Sequence, residues 1–121
     1  MTAAYVGNPH DSPIWQEIAD ERERQEEIGR HKRQQGIEWR SCADPEMDGG
    51  DATRFLVLGE EVGEVANAVL EAGYAMPAPT SVAYQVMESD GGRDMPLREE
   101  LIQVAAVAVA WVEAIDARNS R

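Results

Sequence analysis

The sequence predicts an all-α fold, an antiparallel helical bundle completed by oligomerisation. Three observations carry that expectation. First, Arg54–Glu71 (RFLVLGEEVGEVANAVLE) sorts at roughly 100° per residue into an apolar stripe. Phe55, Leu58, Val62, Val65 and Val69 form the stripe, while Glu60, Glu64, Asn67 and Glu71 face away from it. Second, a helix starting near Pro96 and running to about Asp116 is apolar nearly all round: Val104, Val107 and Trp111 share one face, and Ala106, Val109 and Val112 cover the others. Such a helix is buried on most sides. Two other helices in a chain of 121 residues cannot easily cover it, so a bundle between subunits is the natural solution. Third, Pro13–Gln35 shows three- and four-residue steps in Ile14, Ile18, Glu21, Gln25, Ile28, Lys32 and Gln35, the inward stripe of a further helix.

Composition narrows the function classes. The length suits one domain, residues 1–121, with a loose N-terminus at 1–11 and a long connection at 73–96. A formal charge of -12 and a pI near 4.4 argue against a nucleic-acid or anionic-membrane partner. They leave a phosphate substrate open, because a divalent cation reverses the local sign. Cys42 is the only cysteine, which excludes an internal disulfide and a Cys-rich zinc site. The N-terminus shows no basic region followed by an apolar run, and Val104–Val112 is too short to span a bilayer. The default expectation is a cytoplasmic protein.

Each element has its own signals. Ser12 and Pro13 read as N-cap and first position of the first helix, and Gly36 closes it. The isoleucines of its stripe fit burial and the polar members do not. Either the helix is half exposed, as the charge run Glu21–Glu27 suggests, or Glu21, Gln25 and Lys32 face a polar site between helices. In the loop 37–51, Trp39 either packs on the bundle or lines a pocket, and Asp51 serves as a cap for the central helix. In the 73–96 connection, Thr80–Met87 fits a helical turn or a short strand equally well.

The chemistry gathers in carboxylates. Glu60, Glu61 and Glu64 crowd one helix, with Glu61 at the edge of the apolar stripe, and Glu100 projects with Val104, Val107 and Trp111 on the next. A buried carboxylate is costly unless it is paired or binds a metal. Antiparallel packing brings Glu60, Glu61 and Glu64 to Glu100 and Gln103. Carboxylates gathered without matching cations imply one or two hard divalent ions, with magnesium preferring oxygen ligands and substrate phosphates. No HExxH, histidine cluster or Gly-rich phosphate loop competes with that reading.

These residues resemble the MazG-like all-α nucleoside triphosphate pyrophosphohydrolases, whose pattern is Glu-Glu-x-x-Glu on one helix and Glu-x-x-Asp on the next. The first half stands at Glu60-Glu61-Val62-Gly63-Glu64. The second stands at Glu100 to Gln103, with glutamine where the family usually has aspartate. The resemblance covers roughly Glu21 to Ile115. It implies a homodimer or homotetramer that hydrolyses a nucleoside triphosphate to monophosphate and pyrophosphate, by magnesium-activated water attacking the α-phosphorus, with manganese as an alternative ion. It maps Glu60, Glu61, Glu64 and Glu100 to the acidic site. Glu61, Glu64, Glu100 and the Gln103 amide oxygen are the expected ligands and Glu60 the expected general base, roles that the helical wheel does not separate among the glutamates. Lys32 and Arg40 are the expected phosphate contacts, and Trp39 and Asn67 the nucleoside contacts. The competing expectation is a catalytically weakened nucleotide binder or an acidic helical interaction module, with Gln103 as the missing charge.

Overall fold

The structure is a computed structural model that describes residues 7–74 and 94–120, apart from the side chains of 72–74 and 94. The described residues form a short 3-10 turn, Pro9–Asp11, and three α-helices with no strand: α1 Ile14–Gln34, α2 Gly50–Tyr74 and α3 Asp94–Asn119. The expectation for Thr80–Met87 lies outside these residues, as does most of the 73–96 connection. Within the stretch expected to be loose, the Asn8 side chain accepts from His10 N and caps the short turn.

Local chemistry sets the bounds of α1. The Ser12 hydroxyl accepts from Ile14 N at 3.3 Å, and the Pro13 carbonyl takes Gln16 N and Glu17 N. At the other end Ile37 N reaches Lys32 O, and Gly36 N reaches Arg33 O, both at 3.0 Å. That pair of bonds is a Schellman closure, which needs the left-handed φ of +81° that Gly36 supplies. The covered face of α1 differs from the expected stripe. Ile18, Arg22 and Gly29 are buried and Glu21, Gln25 and Lys32 are half-buried, whereas Ile14, Ile28 and Gln35 are exposed.

Helix α3 lies between the other two and packs against both. Its buried residues are Ala106, Val107, Ala110 and Ala114, and with Ile18 of α1 they make the apolar core. Three alanines on that face let the neighbouring backbones approach closely. Charge pairs fasten α1 across α3: the buried Arg22 guanidinium donates to Glu113 at 2.8 Å and to Glu26 at 3.0 Å, and Arg98 forks onto Glu17.

Helix α2 runs antiparallel to α3, as expected, but is turned. Its covered positions are Arg54, Val57, Leu58, Glu61, Val65 and Ala68. At 100° per residue this face lies roughly 60° from the apolar stripe read from the sequence. Leu58 and Val65 are shared by both faces, but Phe55 is 64 % exposed and Val62 and Val69 about half exposed. The rotation has a visible cause at Arg54, which is fully buried and donates to the carbonyls of Cys42 and Asp44 and to Asp51 Oδ1. Asp51 therefore does not cap α2: the same oxygen also takes Trp111 Nε1 and Arg118 Nη1 at 3.0 Å, tying the start of α2 to the end of α3.

Candidate metal centre

The turn of α2 moves Glu61 from the edge of an apolar stripe to the middle of the covered face. Three residues of helical rise bring Glu64 alongside it, and the antiparallel α3 delivers Glu100 from its second turn. One carboxylate oxygen from each of Glu61, Glu64 and Glu100 lies within 4.8 Å of the other two. Glu61 and Glu100 are half-buried, Glu64 is exposed, and the cluster therefore opens to solvent on one side. Glu61 Oε2 and Glu100 Oε2 are both buried without a hydrogen-bond partner. Buried acceptors left this way are destabilising, and a cation between the helices would satisfy both. Three carboxylates at this separation could hold a divalent ion through oxygen alone, the donor set that hard cations prefer.

Electrostatics agree with the geometry. Burial pushes the Glu61 carboxyl above its ordinary range, and the charges of Glu64, Glu100 and Glu60 add to the effect. Glu100 is raised in the same direction, by burial first and then by its hydrogen bond with Glu64. Without a cation these groups share protons in the folded state more readily than in the unfolded chain. Their contribution to stability is present below the ordinary carboxylate range and is lost as pH rises through the raised values. A divalent ion replaces those protons. The melting temperature should therefore rise on adding magnesium, and by more at pH 7.5 than at pH 4.5. Thermal denaturation at the two pH values measures it; an equal shift at both, or none, would mean that the carboxylates are merely solvated.

The other expected residues are distributed unevenly. Glu60 is exposed and lies outside the close trio, acting on Glu61 only through its charge. Gln103, one turn beyond Glu100, is half-buried and shares with Glu61 the lining of a cavity of about 200 Å³. Trp39 and Arg40 line that cavity too. Trp39 thus both packs and lines. Its ring rests on Gly29 of α1, where any Cβ would overlap it, and its Nε1 is buried with no acceptor. Lys32 does not line the cavity, and its ammonium lies 4.1 Å from the Trp39 ring centroid. Arg40 is engaged by Asp44 at 3.1 Å and Glu46 at 3.7 Å. Asn67 is exposed, bonds Glu71 at 3.3 Å, and does not line the cavity.

The sequence reading did not single out Arg24 or Met47, which also line the cavity, together with Glu21, Gln25 and Cys42. Arg24 was hidden inside the charge run of α1. Only Gly29 hinted at the arrangement, a glycine well inside a helix otherwise free of breakers, which marks a close approach. Burial pushes the Cys42 thiol up, so it behaves as a small wall residue. A larger cleft of about 620 Å³ lies between α1, the loop and Glu113, but it contains none of the three carboxylates. Its charges are spent in pairs such as Arg22–Glu113 and Arg40–Asp44. No helix among the described residues is long and apolar enough to cross a membrane. No protein-family model, curated protein or solved structure matches the chain.

Proposed function

We infer that this protein is a magnesium-dependent nucleoside triphosphate pyrophosphohydrolase, with manganese as an alternative ion. The observation that carries the reading is the trio Glu61, Glu64 and Glu100 closing from two antiparallel helices, with two buried oxygens awaiting a ligand. The residue pattern resembling the MazG-like enzymes supports it, as does a cavity beside Glu61 walled by an aromatic ring and amide groups. Magnesium, when bound, neutralises phosphate oxygens and lowers the pKa of water.

The chain's own residues divide the rest of the work. Glu61, Glu64 and Glu100 hold the ion, and the exposed side of Glu64 leaves room for the phosphates. Glu60, on the solvent side of the same turn, is the base that takes a proton from the attacking water. The water oxygen bonds to the α-phosphorus, the bond from that phosphorus to the bridging oxygen breaks, and pyrophosphate leaves with the electron pair. Trp39 lies where a base or sugar enters the cavity, which at about 200 Å³ admits only one end of a nucleotide, and Gln103, the expected fourth ligand, lines the same wall. Incubating the protein with magnesium and a panel of ribo- and deoxyribonucleoside triphosphates tests the reading. Monophosphate plus pyrophosphate is the expected outcome; diphosphate plus orthophosphate would move the cleavage elsewhere. No turnover, restored by Gln103→Asp, would favour a weakened nucleotide binder.

Self-association belongs to the same reading. The turn of α2 leaves Phe55, Leu56, Val62, Val69 and Leu70 bare, and α3 leaves Leu101 and Val112 about half exposed. Exposed apolar residues in this density mark an interface, and a second copy that completes the bundle would cover them. Sedimentation at micromolar concentration should show a dimer or tetramer, and Val62→Glu should shift it to monomer. A wild-type monomer would reject this part of the reading.

A further inference from the structure

We propose that Arg24 is the residue that grips the polyphosphate end of the substrate, an inference that rests on the hydrolase reading above. Of the cations expected in that role, Lys32 covers the Trp39 ring and Arg40 spends Nη1 on Asp44 and Glu46; Arg24 is a further cation on the same cavity wall. Arg24 lines the same cavity as Glu61 and Gln103, and Glu61 is among the charges that act on it. Its orientation is fixed by Glu21, which lines the same cavity. Glu21, whose side chain is only 13 % exposed, takes Nε at 2.8 Å and Nη2 through its two oxygens. That fork holds the guanidinium in one plane and leaves Nη1 with no partner among the described residues. The Arg24 side chain is 56 % exposed and lines the cavity.

The size of the cavity argues for the same division. Ligand clefts usually span about 300–1,000 Å³, and about 200 Å³ leaves the phosphates of a nucleotide outside, at the rim. Before a cation binds, the carboxylates repel a phosphate chain. With the ion in place, the phosphates meet positive charge on two sides, the ion on the α2 and α3 side and Arg24 on the α1 side. A planar guanidinium suits that task because it can bond two phosphate oxygens at once. Glu21 is then a positioning residue, and the bidentate pair it makes is a mount for the guanidinium.

Titration calorimetry with magnesium tripolyphosphate, a phosphate chain with no nucleoside, isolates this grip. The wild-type protein should bind it, and Arg24→Gln should weaken binding about 10-fold or more, the effect of losing charge-assisted bonds. Binding of magnesium alone should be unchanged in the same variant. Arg24→Lys should recover only part of the affinity, since lysine keeps the charge and lacks the fork. Arg30→Gln removes an equal charge from the same helix away from the cavity, and should bind as wild type. Equal binding by Arg24→Gln and wild type, or an equal loss in Arg30→Gln, would overturn the assignment of Arg24 while leaving the hydrolase reading intact. Failure of the wild-type protein to bind magnesium tripolyphosphate would overturn both.

Discussion

Glu61→Gln and Glu100→Gln should each reduce magnesium-dependent turnover on the order of 100-fold or more, while leaving the fold intact. Each substitution removes one negative charge from a trio whose oxygens lie within 4.8 Å, and so weakens the hold on the ion. A catalytic ion contributes several kcal/mol of transition-state stabilisation, and each loss of about 1.4 kcal/mol is tenfold in rate. The same variants should make the metal-free protein more stable at pH 7.5. Their carboxyls are held above the ordinary range by burial and by neighbouring carboxylates, so a neutral amide relieves repulsion at a pH where protons no longer do. Loss of turnover together with gain of metal-free stability separates a functional site from damage to the fold. Urea denaturation and steady-state assays on the two variants supply both readouts. Unchanged turnover in both would reject the site.

Arg54→Ala should be the most damaging substitution in the described fold, costing about 3–5 kcal/mol. Arg54 is the largest fully buried side chain among the described residues, and its guanidinium ties the loop to the start of α2. It bonds the carbonyls of Cys42 and Asp44 in the loop and the Asp51 carboxylate at the start of α2. Truncation leaves two carbonyls without their donor and opens a hole the size of an arginine. The loop that carries Trp39 and Cys42 would lose its anchor, and with it the wall of the cavity beside Glu61. Chemical denaturation should report the loss of stability. A change below about 0.5 kcal/mol, the cost of an ordinary exposed position, would show that the loop is held by other contacts.

The helices were legible because their signals are local. Gly36 ends α1 through the left-handed turn it alone adopts easily, and three- and four-residue spacing marks α2 and α3 wherever they point. The direction in which α2 faces was not legible from apolar residues. Phe55, Val62 and Val69 look like core and are exposed, whereas the covered face is marked by an arginine, Arg54, and a glutamate, Glu61. Periodicity counts apolar residues and cannot tell burial within the chain from burial against another surface. The acidic site was legible for a related reason. Like charges three residues apart on a partly apolar helix are unfavourable, so Glu61 and Glu64 with Glu100 stood out before any geometry was known. The contact of Lys32 with the Trp39 ring was beyond reach, because it depends on where the loop returns to α1, whereas the Arg24–Glu21 and Arg40–Asp44 pairs are local in sequence.

The central claim is that water attacks the α-phosphorus of a nucleoside triphosphate at the carboxylate trio. Hydrolysis in water enriched in oxygen-18, with the products resolved by mass spectrometry, tests it most directly. The account predicts one heavy oxygen in the nucleoside monophosphate, none in the pyrophosphate, and loss of both products when Glu61 is replaced by glutamine. Label in the pyrophosphate, or turnover that persists in Glu61→Gln, would contradict it.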